Sequence, residues 1–365
     1  MSAILDISPA AIDEQVVRTI GFATASDFEM QSAALNPVEQ RIMYTRYIEV
    51  LEDTQRRVRS RVRQAGVLKS DTDWITDYRT KPPTLNEFIT DPKWLGQTLM
   101  PSDDSPGLFP TWKELLIRDF EFGSSIHNLV ITGSLGTGKT YCMVALLLYR
   151  LTLATLLKNP QSFFGLSKGS KIVYNILSIT KAQVQETAFG DAINFMARSD
   201  YFLNDCNFDP DSKYSNFRIE LPGDIYFTAG SKGWHVLGRN VLGVALDEGN
   251  WRNEADPDTK AYDLYNEVRI RIQNRFMRTA KFLPAISILA SSARDESSFT
   301  ETIIKEIEAA KDPEHQIVYR NAVYKIKKHV LKLSGHWFKV CYGLRTQEPY
   351  VLTGRYLEDG TPVES

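Results

Sequence analysis

Residues 129–140 have the sequence LVITGSLGTGKT. Its first three apolar residues predict a buried strand, its glycines predict a loop, and the apolar run at 141–157 predicts a helix. The loop satisfies the pattern G-x-x-x-x-G-K-[ST] in the strand–loop–helix setting that this pattern requires. Such a loop turns backbone N–H groups toward phosphate oxygens, so the sequence predicts a nucleotide-phosphate site. An ordinary glycine-rich turn is the alternative.

The loop supplies the candidate nucleotide-binding residues Gly133, Ser134, Leu135, Gly136, Thr137, Gly138, Lys139 and Thr140. In a site of this kind, Lys139 reaches the β- and γ-phosphates and the hydroxyl of Thr140 binds Mg²⁺. The expected cofactors are therefore ATP and Mg²⁺.

The composition indicates which partners and which cellular compartment the protein can have. The chain has 365 residues, of which 43% are hydrophobic, and a formal net charge of -2, so nucleic acid contact would need local basic patches. Three scattered cysteines, Cys142, Cys206 and Cys341, lack disulfide or metal spacing and favour a reducing compartment. No apolar run has the length of a membrane span, and the start lacks a signal peptide's basic flank. We expect a soluble intracellular protein without a membrane partner.

Periodicity predicts a helical N-terminal region at 1–80 and an α/β domain at 81–365. Strands and helices alternate after the glycine-rich loop, which favours a mainly parallel sheet flanked by helices. The tail, 316–351, shows strand-like alternation and is expected to add antiparallel edge strands. The remaining predicted strands are 171–179, 224–229, 241–246 and 282–290, and the predicted helices are 85–95, 112–120, 181–198, 262–278 and 298–310.

A second motif is the apolar strand at 241–246 followed by Asp247 and Glu248. A carboxylate at the end of such a strand can hold Mg²⁺ together with Thr140. The adjacent Glu248 is a candidate base for the attacking water. An Asp–Glu pair at this position distinguishes hydrolytic motors from most P-loop kinases. A plain strand end is the alternative.

A third motif is the buried strand that ends in Ser291 and Ser292. In a sheet of this kind, the strand ends beside the γ-phosphate, where a hydroxyl can sense that group. The alternative is a strand that leads into a serine-rich turn.

Together these motifs resemble the ATPase domain of the large terminase subunit, the DNA-packaging motor of tailed bacteriophages. The resemblance covers about residues 85–310 and implies a P-loop NTPase fold of the ASCE, RecA-like class. It implies ATP hydrolysis coupled to the movement of duplex DNA into a procapsid, with Ser291 and Ser292 as the coupling motif. The segments that carry it are 132–140, 228–239 leading into 241–248, the strand ending at 292, and 87–96 followed by 108–110.

The resemblance also implies partners and a place of action. The partners are double-stranded DNA, held through its phosphates without sequence preference, the portal protein and the small terminase subunit. A homo-oligomeric ring would act in the host cytoplasm, transiently at the procapsid portal.

Two departures from the family pattern matter. Several members carry an arginine in the P-loop, whereas positions 134–137 here hold none, so Arg239, Arg294 or a neighbouring subunit would supply it. A structural ion pair is the alternative role for each arginine.

The second departure concerns the residues after Ser292. Large terminases usually continue into a nuclease domain, and the residues after Ser292 do not resemble one. We therefore expect the motor of a longer protein.

Other features leave alternatives open. Basic clusters at Arg56–Arg63, at Arg271, Arg275 and Arg278, and at Lys325, Lys327, Lys328 and Lys332 could contact DNA or be solvated surface. Residues 108–112 are the expected adenine region. A helicase-type motor would need a second motor domain, and a non-hydrolytic ATP-dependent binding module is the other rival.

Overall fold

A computed structural model describes residues 16–36, 39–40, 43–44, 46–47, 50, 77–178, 186–210, 218–230, 240–249, 261–276, 284–292, 298–312, 315–327, 340–341, 350–351, 355–356 and 362–363. The chain divides into two compact units, Met1–Ser70 and Asp71–Ser365. The helices are α1 Ala25–Ala33, α2 Leu85–Thr90, α3 Gly96–Leu99, α4 Pro110–Phe120, α5 Lys139–Thr155, α6 Pro160–Phe163, α7 Ala188–Met196, α8 Ala261–Phe276, α9 Phe299–Ala310 and α10 Val323–Ile326, with a π-helical turn at Tyr201–Asp205. The strands are β1 Asn128–Gly133, β2 Ile172–Leu177, β3 Arg218–Leu221, β4 Ile225–Gly230, β5 Asn240–Asp247, β6 Ile286–Ser292, β7 Gln316–Asn321, β8 Val340–Cys341, β9 Tyr350–Val351, β10 Arg355–Tyr356 and β11 Pro362–Val363.

The first unit contains helix α1. Its N-cap is Thr24, whose hydroxyl accepts a hydrogen bond of 3.1 Å from the backbone N–H of Asp27. Phe28 on this helix is buried, stacks on Tyr47 and meets Tyr44 edge-on. The cap and this aromatic cluster together hold α1 in place.

The second unit is built on a seven-stranded sheet in the order β3-β4-β2-β5-β6-β1-β7. All neighbours in this sheet pair in parallel except β3, which runs antiparallel to β4. This confirms the predicted α/β fold of the P-loop NTPase type, with a mainly parallel sheet and an antiparallel edge. Strand β6 lies between β1, which leads into the P-loop, and β5, which ends at Asp247. The three predicted motifs therefore end at the same edge of the sheet.

The expected origin of the antiparallel edge was wrong. In the tail, β7 pairs in parallel with β1, because helix α9 returns the chain across the sheet after β6. The antiparallel edge strand is β3, which the three-residue turn at 222–224 joins directly to β4, and Asp224 takes a left-handed conformation there, with φ of 53°. Antiparallel pairs in the tail, β8 with β9 and β10 with β11, belong to two small separate sheets.

Helix α5 lies at the centre of the core, and all its side chains from 142 to 155 are buried. The one cation among them, Arg150, donates a hydrogen bond of 3.2 Å to the carbonyl of Ile126. Its own carbonyl accepts a hydrogen bond of 2.9 Å from the hydroxyl of Tyr174 on β2. Buried on all sides, α5 holds the P-loop at its N-terminus in a fixed position relative to the sheet. Among the described helices, none has the length and apolar character that a membrane crossing needs.

Candidate functional site

The loop between β1 and α5 has the backbone of a phosphate cradle. Gly133, Gly136 and Gly138 have φ angles of 141°, 71° and 76°, in the region that L-residues rarely adopt. A Cβ on Gly133 would also overlap the backbone carbonyl oxygen of Asn321 on β7. Glycine, which has no Cβ, suits the loop at these three positions.

Trp112 on helix α4 supports this loop from behind. Its side chain is fully buried, and its indole N–H donates a hydrogen bond of 2.6 Å to the carbonyl of Thr137. The hydroxyl of Thr137 in turn donates to the carbonyl of Ser134 at 3.1 Å. The sequence assigned Trp112 to the predicted helix at 112–120 and to the expected adenine region, but it gave no signal of this hydrogen bond to the P-loop.

Within that expected adenine region, Leu108 is buried as well. Phe109 is partly buried, and its ring carbons lie 3.3 Å from where a Cβ on Gly138 would stand. Of these three side chains, only that of Phe109 both borders the loop and keeps an exposed part.

Lys139 folds back onto the loop that precedes it. Its Nζ donates to the carbonyl of Ser134 at 2.8 Å and lies 3.4 Å from that of Gly133. Burial lowers the pKa of this ammonium group, and the carboxylates of Glu248 and Asp247 oppose that change. Phosphate oxygens could replace the two carbonyls as partners of this cation.

Asp247, at the end of β5, contacts Thr140, at the start of α5. The Thr140 hydroxyl lies 3.3 Å from each carboxylate oxygen of Asp247, although the two residues are 107 positions apart in sequence. Asp247 is only 4% exposed; burial, reinforced by the charge of Glu248, raises its pKa to about 7. Hydroxyl and carboxylate oxygens are ligands that Mg²⁺ prefers. These two side chains therefore fit the metal position of a nucleotide site.

Glu248 follows directly in an unusual backbone conformation. Its φ is 53°, in the left-handed region, which costs a non-glycine residue about 1–3 kcal/mol. Its Oε2 is buried and accepts no hydrogen bond within the described part of the chain. Gly249 lets this turn pack tightly, because a Cβ there would stand 2.8 Å from Leu289 and 3.0 Å from Phe299. A carboxylate held this way has an oxygen free to accept a proton.

The third motif lies between the other two. In the parallel register, Ser291 stands opposite Thr132 and Ser292 opposite Gly133, at the start of the P-loop. Asp247 stands opposite Ala290 of the same strand. Both serines are buried. The end of β6 thus connects the phosphate loop to the carboxylates through adjacent strands.

One family model matches residues 73–336, and its description is "Uncharacterized protein MJ0330, N-terminal P-loop domain". The chain belongs to this P-loop family. The match includes the glycine-rich loop, the Asp247–Glu248 pair and the whole seven-stranded sheet. The chain therefore carries a P-loop NTPase domain, a fold that binds nucleotides, generally with Mg²⁺.

No curated protein sequence matches the chain. Two solved structures resemble this P-loop domain. The large terminase of bacteriophage HK97 is 17% identical, with a TM-score of 0.41, and the match covers 67% of this chain and 44% of that one. The large terminase of the thermophilic bacteriophage D6E is 11% identical, with a TM-score of 0.40, and the match covers 61% of this chain and 48% of that one. The chain thus spans less than half the length of either terminase, the family that its motif order resembles.

Several of the predicted residues lie outside the described residues. These are Arg239, Arg294, Arg278, Lys328, Lys332 and the cluster at 56–63. Of the described basic residues, Arg271 forms an ion pair of 2.8 Å with Glu267, whereas Lys325 is exposed. Lys327 instead lies 5.3 Å above the ring of Phe109, beside the P-loop.

Among the described residues, no group of three or more His, Cys, Asp or Glu side chains could hold a metal ion by itself. The Thr140–Asp247 pair supplies only two side chains. Because Mg²⁺ takes six ligands and usually keeps water and substrate phosphates, a bound nucleotide would have to complete its shell.

Proposed function

We propose that this chain is an ATP-hydrolysing motor of the large terminase type, which moves double-stranded viral DNA into a procapsid. The observation that carries the ATPase part is the convergence of Lys139, Thr140, Asp247 and Glu248 at one edge of the sheet. In this proposal, residues 81–365 form the motor domain, and residues 1–80 precede it as a helical region.

The residues present fit ATP with Mg²⁺ on three counts. The loop glycines have positive φ, and the Thr140 hydroxyl faces the Asp247 carboxylate. Within the described residues, Oε2 of Glu248 is buried and has no hydrogen-bond partner. When bound, Mg²⁺ neutralises charge on the β- and γ-phosphate oxygens. In our proposal Thr140 and Asp247 hold the metal, while Lys139 and the loop N–H groups bind the phosphates.

Glu248 then has the role of base. Its Oε2, which accepts no hydrogen bond from the described residues, orients a water molecule and accepts a proton as the water oxygen bonds to the γ-phosphorus. The bond from that phosphorus to the bridging oxygen breaks, so the products are ADP and inorganic phosphate. Ser291 and Ser292, at the neighbouring strand end, transmit the loss of the γ-phosphate to the rest of the domain.

The motor part rests on the resemblance in motif order. In this proposal the chain forms a homo-oligomeric ring that binds duplex DNA through its phosphates and moves it. The portal protein and the small terminase subunit are the partners of this ring. The ring would act in the host cytoplasm, transiently at the procapsid portal. Since positions 134–137 lack an arginine, Arg239 or Arg294, in the same chain or a neighbouring one, would stabilise the transition state.

ATP turnover at several chain concentrations, with and without linear duplex DNA, tests the proposal. We expect Mg²⁺-dependent turnover that rises per chain with concentration and with DNA. Lys139→Ala abolishes this turnover, whereas the exposed control Lys168→Ala leaves it unchanged. No turnover under any condition would contradict an ATPase and favour a binding module. ATP turnover that does not change when duplex DNA is added would contradict the proposed role as a DNA-moving motor.

A further inference from the structure

A lysine that is remote in sequence lies beside the P-loop. The Nζ of Lys327 lies 3.9 Å from the position that a Cβ on Gly136 would take. The same ammonium group is 5.3 Å from the ring centroid of Phe109, whose ring borders Gly138. Lys327 and Phe109 together flank the two central glycines of the loop.

The surrounding backbone fixes where Lys327 stands. It follows the short helix α10, and its own N–H donates 2.9 Å to the carbonyl of Val323. Ile326, directly before it, is 1% exposed and packs into the core. The hydroxyl of Thr111, at the start of α4, lies 3.4 Å from the carbonyl of Lys325. This turn is therefore tied both to the core and to the helix that supports the P-loop.

No carboxylate among the described residues lies at salt-bridge distance from Lys327. Its side chain is half-buried, and its ammonium group lies over the ring of Phe109. An ammonium group in this position has donors that are free to bind an anion. The nearest backbone is that of a loop shaped for phosphate.

The strand order separates Lys327 from the carboxylates of the site. Strand β7, which leads to Lys327, pairs with β1 on one side, whereas β6 and β5 lie on the other side. Asp247 and Glu248 therefore mark one flank of the loop, where the γ-phosphate and the attacking water belong in the proposed reaction. Lys327 stands on the opposite flank, away from the expected position of the γ-phosphate.

We propose that Lys327 binds the α- or β-phosphate of the nucleotide and so supplies the P-loop with a second cation from the same chain. This rests on the proposed nucleotide site and names a further phosphate-binding residue within it. The contact would exist with ADP as well as ATP, because both contain these phosphates. It would be absent with adenosine, which contains none.

Calorimetric titration of ADP, ATP and adenosine into variants of the full chain tests this. Lys327→Met keeps the length and apolar stem but removes the charge, and the Kd values for ADP and ATP should both rise about tenfold, the effect of losing one charge-assisted hydrogen bond. Lys327→Arg should restore both to within about threefold of the native chain. Lys325→Met, an exposed charge two residues away, is the matched control and should change either value less than about twofold.

The thermal midpoint without nucleotide and the salt dependence of ADP binding separate a phosphate contact from a structural role. We expect the native midpoint in Lys327→Met, together with a shallower salt dependence. Should that variant fold poorly, Lys327→Gln takes its place. Unchanged ADP affinity without the charge, or an effect confined to ATP, would overturn the inference. If Lys139→Ala loses nucleotide binding while Lys327→Met keeps native affinity, the inference about Lys327 is overturned and the proposed function is not. If the native chain does not bind ATP, the proposed function is overturned.

Discussion

Substitution of Asp247 by Asn should stabilise the chain in the absence of Mg²⁺. The carboxylate is buried beside Glu248, and its pKa is about 7 instead of the ordinary 3.8. Ionising this carboxylate is therefore less favourable in the folded chain than in the unfolded chain, and the difference lowers the free energy of unfolding. A rise from 3.8 to about 7 corresponds to about 4 kcal/mol. The amide oxygen of Asn can still accept the hydrogen bond of Thr140, so most of this free energy should be regained.

The pH dependence has a definite sign. Between about pH 4 and 7 the folded chain keeps the proton on Asp247, whereas the unfolded chain releases it. Stability of the native chain therefore falls as the pH rises through this window. The advantage of Asp247→Asn should be small at pH 4.5 and reach about 2–4 kcal/mol at pH 8, which raises the thermal midpoint by several degrees.

Thermal and urea unfolding in the presence of a chelator, at pH 4.5 and pH 8, would measure this difference. Asp103→Asn is the control, because it removes one exposed carboxylate outside the site and should leave stability nearly unchanged. Mg²⁺ together with ADP should shrink the advantage of Asp247→Asn, since only the carboxylate binds the metal well. Equal stability of the native chain and the Asp247→Asn variant at pH 8, or an advantage that is the same at both pH values, would contradict a free-energy cost of ionising the buried Asp247.

Three further substitutions test the loop and the metal position. Gly133→Ala places a Cβ against the carbonyl of Asn321 at a φ of 141°, so it should abolish ADP binding and lower the unfolding midpoint; a native-like Kd would contradict the cradle. Trp112→Phe leaves the carbonyl of Thr137 without its donor, so urea unfolding should show a loss of about 1–3 kcal/mol, with weaker ADP binding. Thr140→Ala should keep ADP binding in chelator but lose the gain in affinity that Mg²⁺ gives the native chain, and an unchanged gain would place the metal elsewhere.

The sequence was sufficient for the parts of the site that local signals encode. A short apolar strand, a glycine pattern and an apolar helix specify the P-loop together, because each restricts the same backbone path. The apolar strand before Asp247 and the strand that ends at Ser292 were equally readable, and the expected mainly parallel sheet is confirmed. The predicted helix at 85–95 ends at Thr90, since Pro92 disfavours helix in the preceding residue.

The remaining features depend on contacts between distant segments. Alternation at 316–321 predicts a strand but not its partner, so the parallel pairing of β7 with β1 could not be read from it. The support of Thr137 by Trp112 and the approach of Lys327 to Gly136 join segments 25 and 191 positions apart. A basic cluster at 325–332 suggested a nucleic acid contact, and only the fold reveals that Lys327 borders the phosphate loop.

In the proposed reaction, ATP bound in this loop is hydrolysed with Glu248 as the base. Pre-steady-state turnover of ATP by the native chain and by Glu248→Gln, with the Kd for ATP measured for both, tests it most directly. We predict that turnover falls by about 10²–10⁴-fold, while the Kd stays within about threefold because Gln keeps the size and loses the proton acceptor. Turnover by Glu248→Gln at the native rate would contradict the assignment of Glu248.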